Sequence, residues 1–282
     1  MQNKCAEINC SHKPVKTSTL ISKYDKIGII YNRTRKADKY ISDRLAYHLN
    51  LEKEKQYLDL GCGTGNYTID LFKKGIRIMG IDPSEAMILN AKSKSSQIDW
   101  IIGTAEKTGL KDDSIDGIIC CLTIHHWTDL NIAFRETNRI LRKSGRLVIF
   151  TSTPEQMDGY WLNHYFPKML SDSKKQMPTY EIVINELKTS GFNNLKTEKY
   201  FVSNDLQDCF LYCGKQRPEL YLKHEIRQGI SSFADLADKN EIENGLNELA
   251  RDIASGRIQA IINDYKNENG DYSFFIGTKA SG

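Results

Sequence analysis

LDLGCGTGN, at residues 58–66, is an apolar strand that runs into a glycine-rich turn and then into a helix. Glycine at positions 61, 63 and 65 permits positive φ angles and lets the backbone come close to a ligand. The dinucleotide fingerprint G-x-G-x-x-G would need a glycine at position 66, where this chain has Asn66, so pyrophosphate binding is disfavoured. The pattern therefore indicates a ligand-binding turn, with a purely structural tight turn as the alternative.

Short β-rich runs alternate with helical patterns around this turn. Strands are predicted at residues 56–60, 76–81, 98–102, 115–121 and 146–151. Helices are predicted at residues 67–74, 84–94 and 128–142. The last of these helices has an apolar stripe, with Thr128 or Asp129 as its cap and Gly145 beyond its end. Most of the strand runs are apolar throughout, so the alternation predicts an α/β fold with a parallel sheet covered by helices on both faces.

Beyond the fifth predicted strand the alternation breaks. Residues 154–178 are rich in aromatic side chains and are bounded by prolines, which indicates an excursion of helix and loop. A helix at residues 181–190 and a strand at 195–202 follow, and then a charged, mainly helical stretch at 205–266. A last strand is predicted at residues 272–278. It can form a hairpin with the preceding strand across the long helical insertion.

Composition and charge exclude several classes of protein. Of the 282 residues, 40% are hydrophobic and 27% are charged, a mixture that can bury a core and that excludes wholesale disorder or a fibrous repeat. The 39 Lys and Arg residues and 36 Asp and Glu residues give a net charge of +3 without a basic block. No nucleic-acid partner is expected from such a balance.

The sequence also indicates a compartment. The longest apolar stretch, at residues 117–124, is far shorter than the roughly 20 residues needed to cross a bilayer, so no membrane partner is expected. The amino-terminal residues contain no apolar core of a secretory signal. Seven cysteines form an odd count without the density of a disulfide scaffold, which favours reduced thiols. We expect a cytoplasmic protein without a metal, because Cys5, Cys10 and His12 lack the paired spacing of a zinc site.

The second predicted strand ends in GIDPS at residues 80–84, which places the carboxylate of Asp82 at the carboxyl end of that strand. Ligands of open α/β sheets bind at this edge, and an acid about twenty residues beyond the glycines can accept hydrogen bonds from both hydroxyl groups of a ribose. Asp82 is therefore predicted to hold a ribose. The alternative is that Asp82 only begins a turn before Pro83, which is a frequent use of aspartate.

Four segments of the chain resemble, in order, the motifs of class I S-adenosylmethionine-dependent methyltransferases, close to the type 11 methyltransferase domain family. They are LDLGCGTG at 58–65, GIDPSEAM at 80–87, GTAEKTGLKDDSIDGIICCLTIHHW at 103–127 and RILRKSGRLVIF at 139–150. The resemblance implies a doubly wound, Rossmann-like, seven-stranded, mainly parallel sheet with an antiparallel last strand and helical lid or insertions. It also implies S-adenosyl-L-methionine as the cofactor of a methyltransferase.

With this resemblance the chain divides into five parts. They are a flexible N-terminal tail (1–20), a cofactor-binding core with an N-terminal cover helix (21–152), an aromatic lid with the continuation of the sheet (153–204), a helical insertion (205–268), and the final strand with the C-terminus (269–282). Excursions over the carboxyl edge of a sheet commonly supply lids and specificity. The lid, together with the insertion, is therefore expected to build the site of the methyl acceptor.

The resemblance further implies which residues hold the cofactor. Asp59 supports the amino end of its methionine, Asp82 holds its ribose, and Ala105 with its neighbours frames its adenine. Relatives commonly carry an acid at the position of Thr104, so Glu106 or a backbone carbonyl is expected to accept from the adenine amino group instead. The full implied set is Tyr24, Tyr31, Arg33, Asp59, Gly61, Gly63, Gly65, Asp82, Pro83, Thr104, Ala105, Glu106 and Cys121.

The segment YDKIGIIYNRTR, at residues 24–35, resembles the N-terminal cover of the family over its cofactor. Arg33 can pair with the methionine carboxylate, since a guanidinium makes two charge-assisted hydrogen bonds to such a group. The alternative is a solvated arginine in a basic run with Arg35 and Lys36.

His125 and His126 are the candidate catalytic residues, because they follow the fourth predicted strand, beside the expected methyl group. A sulfonium methyl is already activated, so its transfer needs an in-line nucleophile held near ~3 Å and little covalent help. A base is needed only when the acceptor is a hydroxyl or a protonated amine. Strand alternation predicts that one of the two histidines faces the cleft and the other faces away. Packing under the cofactor is the alternative role.

Tyr160, Trp161, His164 and Tyr165 are the candidate acceptor-binding residues, since they would exclude water from a site beside the cofactor. A satellite core is the alternative use of these aromatic residues. Apolar walls favour a small, partly hydrophobic acceptor, attacked through oxygen, nitrogen or carbon. Methylation of RNA or protein remains an alternative function, and so does an S-adenosylmethionine-binding module without catalysis.

Overall fold

The computed structural model describes residues 34–280, which build a seven-stranded sheet. The strands are β1 (Gln56–Leu60), β2 (Arg77–Asp82), β3 (Trp100–Ile102), β4 (Ile115–Cys121), β5 (Leu141–Thr151), β6 (Phe192–Tyr200) and β7 (Tyr272–Lys279). Their order across the sheet is β3-β2-β1-β4-β5-β7-β6, and β7 runs antiparallel to both of its neighbours. The expected mainly parallel sheet with an antiparallel last strand is confirmed.

Helices cover both faces of this sheet. They are α1 (Lys39–Leu49), α2 (Asn66–Lys73), α3 (Glu85–Lys94), α4 (Leu130–Ile140), α5 (Pro154–Met157), α6 (Leu162–Tyr165), α7 (Pro167–Gln176), α8 (Tyr180–Thr189), α9 (His224–Gln228), α10 (Lys239–Ser255) and α11 (Ile258–Asp264). Along the central strands, Ile118 and Ile149 belong to one hydrophobic cluster, whereas their neighbours Ile119 and Val148 belong to another. Burial on both faces accounts for the apolar runs without alternation. Within residues 34–280 no helix combines the length and the apolar character needed to span a bilayer.

The helix predicted at residues 128–142 is shorter in the structure, because α4 ends at Ile140 and β5 begins at Leu141. Of its two candidate caps, Asp129 accepts the hydrogen bond, from the backbone N–H of Ile132 at 2.9 Å. The first residue of β5 already pairs with β4, and the ladder then passes an irregularity that contains Ser144, whose φ is +63°. The prediction was wrong at this end because pairing in the sheet replaces the last helical turn.

The other boundaries differ from the predictions by a few residues. β3 begins two residues later than predicted, and β6 begins three residues earlier, directly after Gly191. β6 also ends earlier, at Tyr200, and the backbone N–H of Val202 beyond it donates to the carboxylate of Asp271 at 2.7 Å. The hairpin of the last two strands is confirmed, since β6 and β7 pair antiparallel from Phe192 to Tyr200.

Two stretches outside the sheet pack on each other. The first, residues 152–177, contains α5, α6 and α7, and the second, residues 201–271, contains α9, α10, α11 and two short helical segments, Pro218–Leu222 and Ser232–Leu236. The rings of Tyr160 and Tyr212 stack, with centroids 3.9 Å apart and planes 10° apart. The aromatic side chains of the first stretch therefore share a core with the second stretch.

Candidate active site

The turn between β1 and α2 has three glycines with positive φ: +79° at Gly61, +53° at Gly63 and +76° at Gly65. A Cβ on Gly61 would lie 2.0 Å from Thr123 Oγ1, and a Cβ on Gly65 would lie 2.3 Å from the ring of Trp100. A Cβ on Gly63 would meet no atom of the described residues within 4 Å. The first and last glycines thus make room for protein side chains, whereas Gly63 borders open space.

A cavity lies where the carboxyl ends of β1, β2 and β4 meet, and it is called the first cavity below. It encloses about 1220 Å³, part of which is open to solvent. The structure brings together ten of the sequence-predicted residues in its lining: Asp59, Gly61, Gly63, Asp82, Pro83, Thr104, Ala105, Glu106, Cys121 and His126. Gly65 is in the turn but does not line the cavity. Tyr24, Tyr31 and Arg33 lie outside the described residues.

Asp82 ends β2 and is 9% exposed. One of its carboxylate oxygens accepts from the backbone N–H of Ser84 at 2.9 Å, and the other accepts from that of Gly63 at 2.8 Å. Burial raises the pKa of Asp82 to about 6, although both amide hydrogen bonds oppose that rise. Asp82 therefore does form the turn before Pro83, and it also ties the glycine turn to β2. Each carboxylate oxygen can accept a further hydrogen bond, so the ribose role is compatible with the turn.

Asp59 lies beneath the same cavity and is 2% exposed. One carboxylate oxygen, Oδ2, accepts a hydrogen bond from Thr68 Oγ1 at 2.6 Å. The other, Oδ1, is buried and has no hydrogen-bond partner within the described residues. Burial, together with the charge of Asp82, raises the pKa of Asp59 to about 7. A buried acceptor without a donor is costly, so this oxygen fits a ligand that brings an N–H group, such as the amino group of S-adenosylmethionine.

Thr104, Ala105 and Glu106 also line the first cavity. Ala105 is buried, which suits contact with a flat apolar ring. The Oε1 atom of Glu106 accepts from the backbone N–H groups of Thr128 and Asp129, at 2.7 and 3.3 Å. This oxygen of Glu106 therefore supports the start of α4.

His125 and His126 do not continue a strand, because β4 ends at Cys121 and residues Ile124–His126 form a 3₁₀ helix. Leu122, which directly follows β4, has a φ of +53°, and this conformation turns the chain away from the sheet. The expected alternation of the two histidines was therefore wrong. Their rings lie 3.9 Å apart, and both border a second cavity, but His126 also borders the first cavity.

The second cavity encloses about 730 Å³ and shares Arg35, Leu122 and His126 with the first cavity. Its remaining wall comes from the chain after β5, from α7, from residues 210–236 and from the start of β7. Besides His125, the residues of that wall are Ser152, Met157, Tyr160, Ser173, Gln176, Met177, Phe210, Leu211, Ile230, Ser231, Ser232, Leu236 and Tyr272. The two cavities therefore adjoin at a short wall that contains one imidazole.

Of the four candidate acceptor-binding residues, the structure brings only Tyr160 to the second cavity. Trp161 is buried, and its indole N–H donates to the carbonyl of Lys215 at 2.9 Å. Tyr165 donates its hydroxyl to Asp252 at 2.9 Å, and His164 Nε2 lies 3.6 Å from Glu248. These three residues line neither cavity, because they lie in or beside the core between the two stretches outside the sheet.

Sequence reasoning missed a cluster of three residues at the cavities. The guanidinium of Arg35 forms hydrogen bonds to both carboxylate oxygens of Asp208, and Tyr67 donates its hydroxyl to the same carboxylate at 3.1 Å. Asp208 is 1% exposed. Arg35 and Asp208 are 173 positions apart in the chain, so no local pattern could pair them. In the sequence, Arg35 was only part of the basic run beside Arg33.

Comparisons with known proteins agree with this geometry. The model of the methyltransferase domain family matches residues 58–149. A solved structure of a putative methyltransferase from an antibiotic biosynthesis pathway of Anabaena variabilis is 34% identical, with a TM-score of 0.78. That similarity covers 87% of this chain and 99% of the Anabaena chain.

Other similar proteins are also named as methyltransferases. An uncharacterized methyltransferase of Mycobacterium tuberculosis is 33% identical over 106 residues, which span 38% of this chain and 43% of the relative. A ubiquinone/menaquinone biosynthesis C-methyltransferase of Campylobacter jejuni is 24% identical over 220 residues, or 66% of this chain and 94% of the relative.

A geranyl diphosphate C-methyltransferase of Streptomyces coelicolor shares the fold at 13% identity, with a TM-score of 0.55. The similarity covers 86% of this chain and 79% of that one, whose crystal contains S-adenosyl-L-homocysteine. The likeness to the Anabaena structure extends over nearly its whole length, beyond the glycine turn and the acid that ends β2. The chain therefore belongs to the class I S-adenosylmethionine-dependent methyltransferases, and S-adenosylmethionine is its cofactor.

Proposed function

We propose that the chain transfers the methyl group of S-adenosylmethionine to a small-molecule acceptor bound in the second cavity, by in-line displacement. The observation that carries this proposal is the wall that the two cavities share, at Arg35, Leu122 and His126. A nucleophile in the second cavity can meet a methyl group in the first cavity where these shared residues lie. The volume of about 730 Å³ suits a small molecule better than a polymer.

The cofactor is proposed to lie along the first cavity with its amino group at Asp59 and its ribose at Asp82. Bound S-adenosylmethionine supplies an activated methyl group on a sulfonium. The chain contributes orientation: the oxygen of Asp59 that has no partner among the described residues holds the amino group, and the amide-held carboxylate of Asp82 holds the ribose. The second cavity then has to hold the attacking atom in line with the methyl–sulfur bond and to exclude water from it.

His126 is proposed as the proton acceptor when the attacking atom carries a proton, since it borders both cavities. Replacing His126 by Ala is then expected to slow turnover by about 10²-fold, whereas His125→Ala has a much smaller effect, because His125 borders the second cavity alone. Steady-state kinetics of both variants, with the acceptor identified as below, measure this difference. A wild-type rate that does not change between about pH 5 and 8 would contradict the role, because imidazole titrates in that interval.

Ser231→Trp is expected to block methyl transfer without affecting the cofactor. Ser231 is half-buried in the wall of the second cavity and lies outside the first cavity, so an indole there fills the acceptor site. Transfer of labelled methyl from S-adenosylmethionine into a small-molecule extract should fall at least about tenfold, while S-adenosylhomocysteine affinity, measured by calorimetry, stays within about twofold.

The matched control is Ala234→Trp, three residues further along, where the side chain is exposed and lines neither cavity. It should behave like the wild type in both measurements. Label in RNA or protein rather than in small molecules would favour the polymer alternative. Cofactor retention without any methyl loss would favour a module that binds S-adenosylmethionine without catalysis.

A further inference from the structure

We propose that the acceptor is an electrically neutral molecule with a mostly apolar body, and that the second cavity selects against both cationic and anionic acceptors. This inference rests on the proposed function, because it takes the second cavity as the acceptor site. It goes further by naming the charge class of the substrate.

The first argument is the charge of the cavity wall. Among the described residues that line the second cavity there is no Asp, Glu or Lys, and Arg35 is its one guanidinium. Asp208 holds that guanidinium through two hydrogen bonds, and the side chains of Arg35 and Asp208 are only 13% and 2% exposed. The pair is neutral as a unit, so apart from the two imidazoles the part of the wall built by residues 34–280 carries no net charge.

The second argument concerns Asp271, an acid that lies next to the wall residue Tyr160. The carboxylate of Asp271 is buried close to Tyr160, which donates its hydroxyl to the Asp271 carbonyl. Lys215 Nζ already contacts both Asp271 carboxylate oxygens, at 2.9 and 2.7 Å. A cationic acceptor would therefore lose its hydration without gaining an ion pair, because the carboxylate of Asp271 is already paired with Lys215. Burying an uncompensated charge is strongly unfavourable.

An anionic acceptor meets the converse difficulty. Phosphate and carboxylate groups are usually held by arginines with free donors, often in pairs. Here the donors of Arg35 that face Asp208 are engaged, and Tyr67 adds a third hydrogen bond to that carboxylate. An anion beside Arg35 would compete with Asp208 and feel its repulsion.

Apart from Arg35 and the two imidazoles, the polar side chains of the described wall are hydroxyls and the amide of Gln176, which suit an uncharged acceptor. Ser152 Oγ lies 2.9 Å from the hydroxyl of Tyr160, and Ser173 Oγ lies 2.8 Å from Ser232 Oγ. Apolar side chains, such as that of Phe210, complete the wall. A ring or chain with hydroxyl or carbonyl groups matches this combination of apolar surface and weak dipoles.

A neutral acceptor also balances the reaction. The attacking atom bonds to the methyl carbon as the methyl–sulfur bond breaks and leaves its electron pair on sulfur. The proton of the attacking atom passes to His126. One positive charge therefore moves from the sulfonium to the imidazole, and the acceptor enters and leaves uncharged.

The test uses three probes that share a naphthalene body: naphthalene methanol, naphthylmethyl trimethylammonium and naphthalene sulfonate. Their binding to the full chain saturated with S-adenosylhomocysteine is measured by calorimetry at about pH 8, where free imidazole is largely neutral. The neutral alcohol should bind at least about tenfold more tightly than either charged probe. Equal or tighter binding of a charged probe, or no binding of the alcohol, overturns the inference.

Ser231→Asp provides an independent readout, because it adds one carboxylate to the wall of the second cavity. It should shift the ratio of ammonium to alcohol affinity by at least about tenfold toward the ammonium probe, whereas Ala234→Asp, on the exposed side, should not. An unchanged ratio in Ser231→Asp counts against the inference. Ser231→Trp separates the two proposals: charged probes that bind the wild type and lose binding in this variant refute neutrality alone. Probes that bind both proteins equally refute the second cavity as the acceptor site.

Discussion

Gly61→Ala is expected to abolish the retention of S-adenosylhomocysteine at concentrations that saturate the wild type. The φ of +79° costs an alanine about 1–2 kcal/mol, and its Cβ would lie 2.0 Å from Thr123 Oγ1 and 2.7 Å from Thr123 Cβ. Relief of that overlap must move either the turn or the segment before His126, at a further cost of roughly 1–3 kcal/mol. Both segments line the first cavity, so the ligand loses its fit.

The matched control for this variant is Gly109→Ala. Gly109 has a similar φ of +74°, is exposed, and has no atom of the described residues within 4 Å of an added Cβ. It should lower the free energy of unfolding by only about 1–2 kcal/mol and leave ligand affinity unchanged. Calorimetry and thermal unfolding of both variants measure the difference. Equal effects of the two alanines would show that backbone strain, and not the close approach of Thr123, makes Gly61 necessary.

Asp59→Asn is expected to stabilise the ligand-free protein at pH 8 and to weaken S-adenosylhomocysteine binding by roughly 10- to 100-fold. The carboxylate is buried, one of its oxygens has no hydrogen-bond partner among residues 34–280, and its pKa is raised from 3.8 to about 7. The ionised form is therefore unfavourable in the folded protein without ligand. An amide of the same shape carries no charge, but it also offers no charge-assisted hydrogen bond to the amino group of the ligand.

The pH dependence of stability follows from the direction of this pKa shift. A carboxyl group with a raised pKa in the folded state contributes stability that is complete below its unfolded pKa of 3.8 and that is lost as pH rises through about 7. Asp82, whose pKa is raised to about 6, acts in the same direction. The ligand-free wild type should lose stability between about pH 4 and 7, and Asp59→Asn should remove the part due to Asp59, at most about 4 kcal/mol.

Thermal unfolding at several pH values, with and without ligand, tests this expectation. Asp99→Asn, at an exposed position before β3, makes the same chemical change away from both cavities and should alter neither quantity. An Asp59→Asn protein that gains no stability at pH 8, or that keeps the ligand affinity of the wild type, would remove Asp59 from the proposed role at the amino group.

The strands of the core were predictable because burial on both faces requires uninterrupted apolar runs. β1 and β4 occupy the predicted residues, and β2 is displaced by one residue. Helix α4 was predicted too long, since a pattern of apolar residues does not reveal where the hydrogen bonds of a sheet take over from those of a helix. The irregularity around Ser144 depends on β4 beside it, which lies more than twenty positions away in the chain.

The cofactor end of the site was predictable for a related reason. The carboxyl ends of parallel strands meet at one edge, so local motifs are enough to place Asp82 beside the glycine turn, and the family resemblance added Asp59 and Ala105 to the same cavity. No comparable rule of strand geometry predicts which residues meet at the acceptor site. Trp161 and Tyr165 look like site residues in the sequence, but the second cavity is completed by Ser152, Ser231 and other residues without a recognisable motif.

The sequence alone determined the central strands, the glycine turn and the acids Asp59 and Asp82 near the ends of β1 and β2, because each depends on neighbours within a few positions. Only the tertiary structure decided that His126 borders both cavities and that Asp208 neutralises Arg35 across 173 positions. Those contacts depend on how the two stretches outside the sheet pack on each other. Packing between distant segments follows from the complementarity of their surfaces, which no local periodicity records.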